Sequence, residues 1–307
     1  MSDSAWASYG VDGFGGKLMS AIHTRTIAAN GLSFTVDEAG EGDDVALLLH
    51  GFPESRWSWR HQMPLLAERG WRAVAPDMRG YGDSSRPQGV EAYKVEHLVE
   101  DVAGMFDALG ARRRLLIAHD WGALVAWVFA IQRRLPLDGL VIMNVPHPGT
   151  LARARGNPRQ WLKSWYIGFF QLPLLPELAL TAGGGRAVVR AFRGSAIDKS
   201  RFSDEAVEPF RRNALVPGAA TAMVNYYRAN FPGLGRYGNG PRIEVPTLMV
   251  WGEEDIAIGI EFTQNYEPFV ADLTLERLPG VSHWVQQEAP EAVNGHIERW
   301  LKLKGLA

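Results

Sequence analysis

The chain contains no cysteine among its 307 residues. That excludes disulfides, thiolate nucleophiles and cysteine-bound zinc, and it accords with a reducing compartment. No apolar run approaches the roughly 20 residues that span a bilayer. No block of like charge is present either. The 32 Lys and Arg residues face 34 Asp and Glu, a net charge of -2. A basic stripe for nucleic acid and a disordered acidic tail are both missing. There is no internal repeat. The opening stretch MSDSAWASYGVDGFGGKLMS lacks the basic and apolar regions of a secretory signal. Its Gly and Ser content reads as a flexible N-terminus over residues 1–20. What remains is a globular chain, 46% apolar and 21% charged, expected to be cytoplasmic and built around an ordinary hydrophobic core.

The patterning then alternates between strand and helix. TIAANGLSFTVDEAG reads as a hairpin about Asn30-Gly31. VALLLHG (45–51) is a continuous apolar run closed by glycine, the mark of a buried parallel strand. Helical spacing follows over 57–69. A strand and a Gly/Ser/Pro loop follow over 72–87, and a helix over 95–110 ends on a C-cap glycine. LLIAHDWGALVAW (115–127) is strand, turn and helix in one, and 137–146 is a further strand. Strand alternation stops after His147-Pro148-Gly149 and resumes at PTLMVWG and LTLERLPG, with helices expected over 259–271 and 287–303. The pattern predicts an α/β fold with a mostly parallel sheet flanked by helices. Residues 21–147 and 238–307 form its core, and 148–237 form an inserted helical cap. A Gly183-Gly184-Gly185 run lies inside the cap. It lacks the Lys-Ser/Thr of a phosphate loop and reads as a flexible connection.

Sites in open α/β sheets sit beyond the carboxyl ends of the strands. Those ends deliver His50-Gly51-Phe52-Pro53, then Asp120, then Glu253-Glu254-Asp255, then His283. The turn AHDWG has the frame of a nucleophile elbow, G-x-S-x-G, with Ala118 at the first glycine and Asp120 at the serine. A serine aimed at a saturated carbon would make an ether that water cannot open. A carboxylate makes an alkyl ester, which can be hydrolysed at its own carbonyl carbon. It is also ionised at neutral pH without help, since the usual carboxyl pKa is about 3.9. An aspartate elbow therefore points to displacement at an sp3 carbon through a covalent intermediate. His283 would activate water for the second step. Asp255, selected by the W-G-x-x-D spacing, would orient the ring. The backbone amides of Trp121 and Phe52 would meet the oxyanion, and His50, Gly51 and Pro53 would support that loop.

Together, HGFPESRWSWRHQMPLLAERGWRAVAPDMRGYGDSSRP, AHDWG, MNVPHPG, WGEED and GVSHW resemble the α/β-hydrolase-fold epoxide hydrolases over most of residues 22–303. Haloalkane and haloacetate dehalogenases are relatives within the same aspartate-nucleophile branch. The resemblance implies hydrolysis of a small apolar epoxide to a vicinal diol, with water as the only co-reactant and no cofactor. It also implies two cap tyrosines as proton donors to the epoxide oxygen. Tyr166 in SWYIGFFQLP and Tyr227 in VNYYRANF match those positions, with Tyr226 as competitor for the second. A dehalogenase is the alternative. It would use Trp121 as a halide donor, but Phe52 occupies the place where haloalkane dehalogenases set a second donor. Trp121 and Leu124 stand where haloacetate dehalogenases set arginines. A ligand receptor with an idle site is a further alternative, against which stands the complete Asp120, Asp255 and His283 set. An acyl hydrolase would need Ser or Cys at the elbow.

Other histidines carry plainer readings. His97 and His296 lie in helices, His23 and His61 read as surface or packing residues, and His147 marks the entry to the cap. His119 precedes the nucleophile and is expected to point away from it. Asn144 follows the neighbouring strand but cannot ionise, so it does not compete with Asp255. No His/Asp/Glu cluster has metal-ligand spacing, and no metal is expected. The cap aromatics Trp161, Trp165, Phe169 and Phe170 suggest an apolar pocket. The oligomeric state is not encoded in any motif.

Overall fold

The computed structural model describes residues 22–307 apart from 154, 155 and 232. The expected flexible segment 1–20 lies outside the described residues. The Asn30-Gly31 turn joins β1 (His23–Ala29) to β2 (Leu32–Ala39). Both turn residues take positive φ, 49° and 72°, as a twist-matched two-residue hairpin requires. The sheet continues through β3 (Asp44–Leu49), β4 (Arg72–Pro76), β5 (Arg113–His119), β6 (Gly139–Met143), β7 (Thr247–Gly252) and β8 (Leu273–Leu278). Its order is β1-β2-β4-β3-β5-β6-β7-β8. β1 and β2 pair antiparallel, as do β2 and β4, and every later pairing is parallel.

The inner parallel strands read as largely apolar runs because both faces are covered, unlike the edge strand β8, LTLERL. Along β3, Val45, Leu47 and Leu49 face one core and Ala46 and Leu48 the other. α1 (Met63–Glu68) and α11 (Pro290–Leu303) cover the second face with Met63, Leu66, Val293, Ile297, Trp300 and Leu301. α2 (Val95–Ala108) and α3 (Asp120–Ile131) cover the first. α3 is apolar all round and almost wholly buried, as a central helix should be.

Among the described residues, six helices lie between β6 and β7: α4 (Pro148–Arg153), α5 (Pro158–Lys163), α6 (Trp165–Phe169), α7 (Leu175–Ser195), α8 (Asp204–Leu215) and α9 (Ala219–Asn230). No strand interrupts them among those residues. Their inner side chains Phe170, Phe192, Phe210, Met223 and Tyr227 belong to the same buried cluster as α2 and α3. The three-glycine run joins two helical segments through non-helical backbone. It sits inside α7 as a kink, with Gly183, Gly184 and Gly185 at φ 58°, 73° and 79°, conformations that cost glycine little.

Two expected helices are shorter than the pattern suggests. Residues 57–69 split into a 3-10 turn (Arg56–Trp59) and α1. The stretch 259–271 forms only a 3-10 turn over Ile260–Thr263. Asn265 at φ 60° turns the chain out of helical geometry there, and Pro268 disfavours the helical region for Glu267. At the C-terminus, α10 (Val285–Glu288) is separated from α11 by Pro290 at the start of the latter. No helix among the described residues is long and apolar enough to cross a membrane.

Candidate active site

β5 ends in extended backbone at His119, and Asp120 then opens α3 with φ 48°. A positive φ at a non-glycine residue is strained, and it lifts the carboxylate out of the turn. Tight neighbours make the bend feasible. A Cβ on Gly122 would overlap the Leu49 carbonyl, and one on Gly51 would overlap the Asp120 carboxylate itself. Ala118 at the elbow's first position is fully buried in the core, so a methyl group is accommodated where the pattern has glycine.

The Asp120 carboxylate is held from both sides. The Phe52 amide donates to Oδ1 at 2.7 Å. Oδ2 lies 3.6 Å from Nε2 of His283, beyond hydrogen-bond length but close enough for strong attraction in a buried site. Burial alone would raise the Asp120 pKa, but the His283 ring, His119 and the Phe52 amide outweigh it and hold the group below the usual carboxylate range. The Trp121 amide lies in the first turn of α3, where no intrahelical partner exists.

His283 follows β8 in a loop. Its Nδ1 meets Asp255 Oδ2 at 2.7 Å. Burial opposes the charged ring, yet Asp255 and Asp120 on either side raise its pKa to about 10. Asp255 is itself fixed: Oδ1 accepts from the Ala257 and Ile258 amides at 2.7 and 3.0 Å. Its neighbour Glu254 is exposed.

Asn144, set aside in sequence because it cannot ionise, holds this acid in place. At φ 51° beyond β6, its Nδ2 donates to Asp255 Oδ2 at 2.7 Å and its Oδ1 accepts from the Gly252 amide at 3.0 Å. The Asn-Val-Pro stretch after a parallel strand was the signal available for it.

Glu54 is the second residue that motif reading passed over, although it lies within HGFPES. It is fully buried. Oε2 accepts from the Gly51 amide at 2.8 Å and faces His119 Nδ1 at 2.7 Å. Oε1 accepts from Ser58, Gln286 and Gln287 at 2.8, 2.9 and 2.7 Å. His119 Nε2 faces the His283 carbonyl at 2.9 Å; a carbonyl can only accept, so Nε2 carries a hydrogen. As expected, His119 does not line the cavity. Instead it joins the Phe52 loop to the His283 loop. His50 braces the first of these. Its Nε2 accepts from the Met78 amide at 3.0 Å, which leaves Nδ1 to donate to the Gly51 carbonyl at 2.9 Å.

Above Asp120 lies a cavity of about 120 Å³, lined by Asp120, Tyr166 and Tyr227 together with Trp121, Leu124, Ile167 and Ile258, among others. Burial and the neighbouring Asp120 charge raise both tyrosine pKa values, so both hydroxyls stay protonated and can donate. The Tyr166 and Tyr227 rings lie 5.9 Å apart at 84°. Tyr227 is 6% exposed, and the Trp121 ring meets it edge-on at 4.9 Å. Tyr226 points the other way. It is fully buried and donates to the Arg79 carbonyl at 2.8 Å. The two adjacent tyrosines thus leave α9 in different directions, although the Trp121 ring touches both.

Of the expected aromatics, Trp165, Phe169 and Phe170 do not line the cavity. Trp165 is 69% exposed. Phe170 packs behind Phe52 and Tyr227, at 5.2 and 4.7 Å between rings. The Trp161 side chain lies outside the described residues. Among the described residues no group of three or more His, Asp or Glu could hold a metal ion.

Residues 45–290 match the family described as alpha/beta hydrolase fold. Epoxide hydrolase 3 of Xenopus tropicalis is 36% identical over 281 residues, covering 89% of this chain and 76% of that one. The AB hydrolase superfamily protein YfhM of Bacillus subtilis is 35% identical over 287 residues, covering 92% and 99%. The crystal structure of a Bacillus megaterium epoxide hydrolase in complex with an inhibitor superposes with a TM-score of 0.83 at 27% identity, over 91% of this chain and 100% of that one. On this fold, and at this similarity, the chain belongs to the epoxide hydrolases of the α/β-hydrolase fold, hydrolases acting on ether bonds.

Proposed function

We propose that the chain hydrolyses a small apolar epoxide to a vicinal diol through a covalent ester on Asp120, with residues 148–237 acting as a cap over the site. One observation carries this reading: a single, mostly apolar cavity is lined by Asp120, Tyr166 and Tyr227 together. A nucleophile facing two donors suits a strained ring whose carbon is attacked while its oxygen takes a proton.

In the first step Asp120 Oδ2 attacks a ring carbon, and the C–O bond breaks. The oxygen keeps the electron pair and accepts a proton from Tyr166 or Tyr227. Oδ1 becomes the ester carbonyl oxygen, already held by the Phe52 amide. Forming the ester removes the negative charge beside His283. That charge helps to raise the His283 pKa, so its loss lowers the pKa. The ring sheds its proton, which restores the tyrosine, and becomes a base when one is needed. In the second step His283 takes a proton from water, whose oxygen attacks the Asp120 carbonyl carbon. The Phe52 and Trp121 amides hold the oxyanion. Collapse releases the second diol oxygen, which takes up the proton from His283.

A halide as leaving group is less well served. Phe52 puts only a phenyl ring beside Trp121, packed edge-on against Phe170 and Tyr227, and offers no second side-chain donor.

The test is trapping. With His283→Gln and an aryl or alkyl epoxide, ester hydrolysis should stall, and the intact protein should gain the mass of one substrate on Asp120. In the wild type, one turnover in water labelled with oxygen-18 should place the label in Asp120 and leave the diol unlabelled. Label in the diol with no adduct on the variant would overturn the two-step scheme in favour of direct attack by water.

A further inference from the structure

The cavity wall beyond the catalytic groups is apolar except at two side chains, Gln160 and Ser164. Gln160 has no donor left to offer a ligand. Its Oε1 accepts from the Gly259 amide at 3.2 Å, and its Nε2 donates to the Ala257 carbonyl at 2.8 Å and to Ser164 Oγ at 2.9 Å. Its donors and acceptor are therefore engaged, and it is only 8% exposed.

Ser164 differs. It stands at the N-cap position of α6, where a serine ordinarily accepts from the first helical amides. Here φ is −93° and ψ 11°, and the side chain makes no capping bond. Ser164 lines the cavity, and its hydroxyl donates to no acceptor among the described residues. Gln160 occupies one lone-pair direction and so restricts where the O–H can point. Ser164 lies two residues before Tyr166, on the same cavity wall.

An all-hydrocarbon substituent packed against this half-buried serine would cover a donor and leave it unpaired, which is costly. An acceptor on the substituent would satisfy it. We propose that Ser164 is a specificity-determining donor, and that this site favours epoxides whose substituent carries an ether-type oxygen over their all-carbon counterparts. The inference rests on the epoxide hydrolase reading of the cavity and adds a substrate class to it.

The experiment compares matched substrates that differ by O against CH2. One pair is phenyl glycidyl ether and 4-phenyl-1,2-epoxybutane. The other moves the oxygen one atom outward, as 4-phenoxy-1,2-epoxybutane and 5-phenyl-1,2-epoxypentane. Diol formation gives kcat/KM for the full-length wild type, Ser164→Ala and Ser164→Thr. The oxygen's intrinsic effect on ring opening is common to all three proteins and cancels in the comparison. In at least one pair the ether-to-hydrocarbon ratio should fall about 2- to 10-fold in Ser164→Ala, the worth of one neutral hydrogen bond. Ser164→Thr, which keeps the hydroxyl, should retain it. Equal ratios in wild type and Ser164→Ala for both pairs, with all substrates hydrolysed, would overturn the role of Ser164 and leave the epoxide hydrolase reading standing. No hydrolysis of any of them by the wild type would sink that reading and this inference with it.

Discussion

Glu54 is where the loops of the site are tied together, and its replacement can be worked through bond by bond. Glu54→Gln keeps the shape and turns one carboxylate oxygen into an NH2 group. If the NH2 faces the Oε2 side, it meets the Gly51 amide and His119 Nδ1. His119 can lose the hydrogen on Nδ1 and accept there, but the Gly51 amide cannot. If it faces the Oε1 side, it meets Gln287 Nε2, whose own Oε1 is engaged by Arg60 at 3.2 Å. Either way at least one buried donor is orphaned, at about 1–3 kcal/mol. That is a sizeable fraction of the roughly 5–15 kcal/mol that holds a domain folded. The melting temperature should fall by about 2–10 °C. Glu54→Leu strands all five partners, at a cost comparable to the whole stability, and should yield no soluble folded protein. Burial pushes the Glu54 pKa up, but His119 and the Gly51 amide pull it below its usual value. Its contribution is therefore present above about pH 4.5 and lost as the pH falls through the lowered folded value. Thermal unfolding followed by circular dichroism from about pH 2 to 8 reads both effects. A Leu variant as stable as the Gln variant would refute the network's role, and so would a wild-type to Gln gap that does not shrink in acid.

The tyrosines on α9 should separate cleanly. Tyr227→Phe should lower kcat for epoxide by about 10-fold or more through loss of a proton donor. Tyr226→Phe should cost about 1 kcal/mol of stability while sparing kcat, as steady-state kinetics and urea melts can establish. Asn144→Ala removes one of the two donors to Asp255 Oδ2, leaving His283 alone on that oxygen, and empties a left-handed turn, so turnover should drop about 10- to 100-fold, with KM moving far less. A KM effect alone would contradict its role as a positioning residue. His283 has a folded pKa above its unfolded one, so its charge stabilises fully below about pH 6.5. That stabilisation is lost as the pH rises through about 10. The stability gap between wild type and His283→Gln should therefore be widest near pH 6 and narrow towards pH 10.

Much of the core was legible because its physics is periodic and local. A parallel strand covered on both faces must be apolar throughout, and VALLLHG, LLIAH and PTLMVWG have no other economical reading. The hairpin was legible because Asn30-Gly31 names its own turn geometry. The missed elements depend on distant partners. No short-range signal puts a 3-10 turn rather than a helix after Ile260. The segment beyond Asp255 is shaped by contacts with α5 and the residue before it: Asn157 with Glu261, and Gln160 with Gly259 and Ala257. The three glycines of α7 invite a loop reading by composition. They do break helical geometry, but the two segments they join run on as one kinked α7, and a Cβ on Gly185 would crowd Arg211 of α8.

The same distinction divides the site. Asp120, Asp255 and His283 stand at strand ends, so their convergence follows from topology alone. Glu54, His119 and Asn144 act through partners as far as 233 residues away, and no spacing rule reaches that far. Each looks idle in sequence for a different reason: Glu54 as one more loop acid, His119 as a residue behind the nucleophile, Asn144 as a group that cannot ionise. The pair Tyr226-Tyr227 is intermediate. Consecutive residues on a helix are rotated by about 100°, so two adjacent tyrosines leave it in different directions. Sequence motif alone ranked Tyr227 first. The helix phase gives that ranking a physical basis: α9 must bury Tyr226 against the Arg79 carbonyl, and that orientation turns Tyr227 toward Asp120. A structural hydrogen bond on the hidden side of a helix thereby sets which hydroxyl is free to donate on the open side.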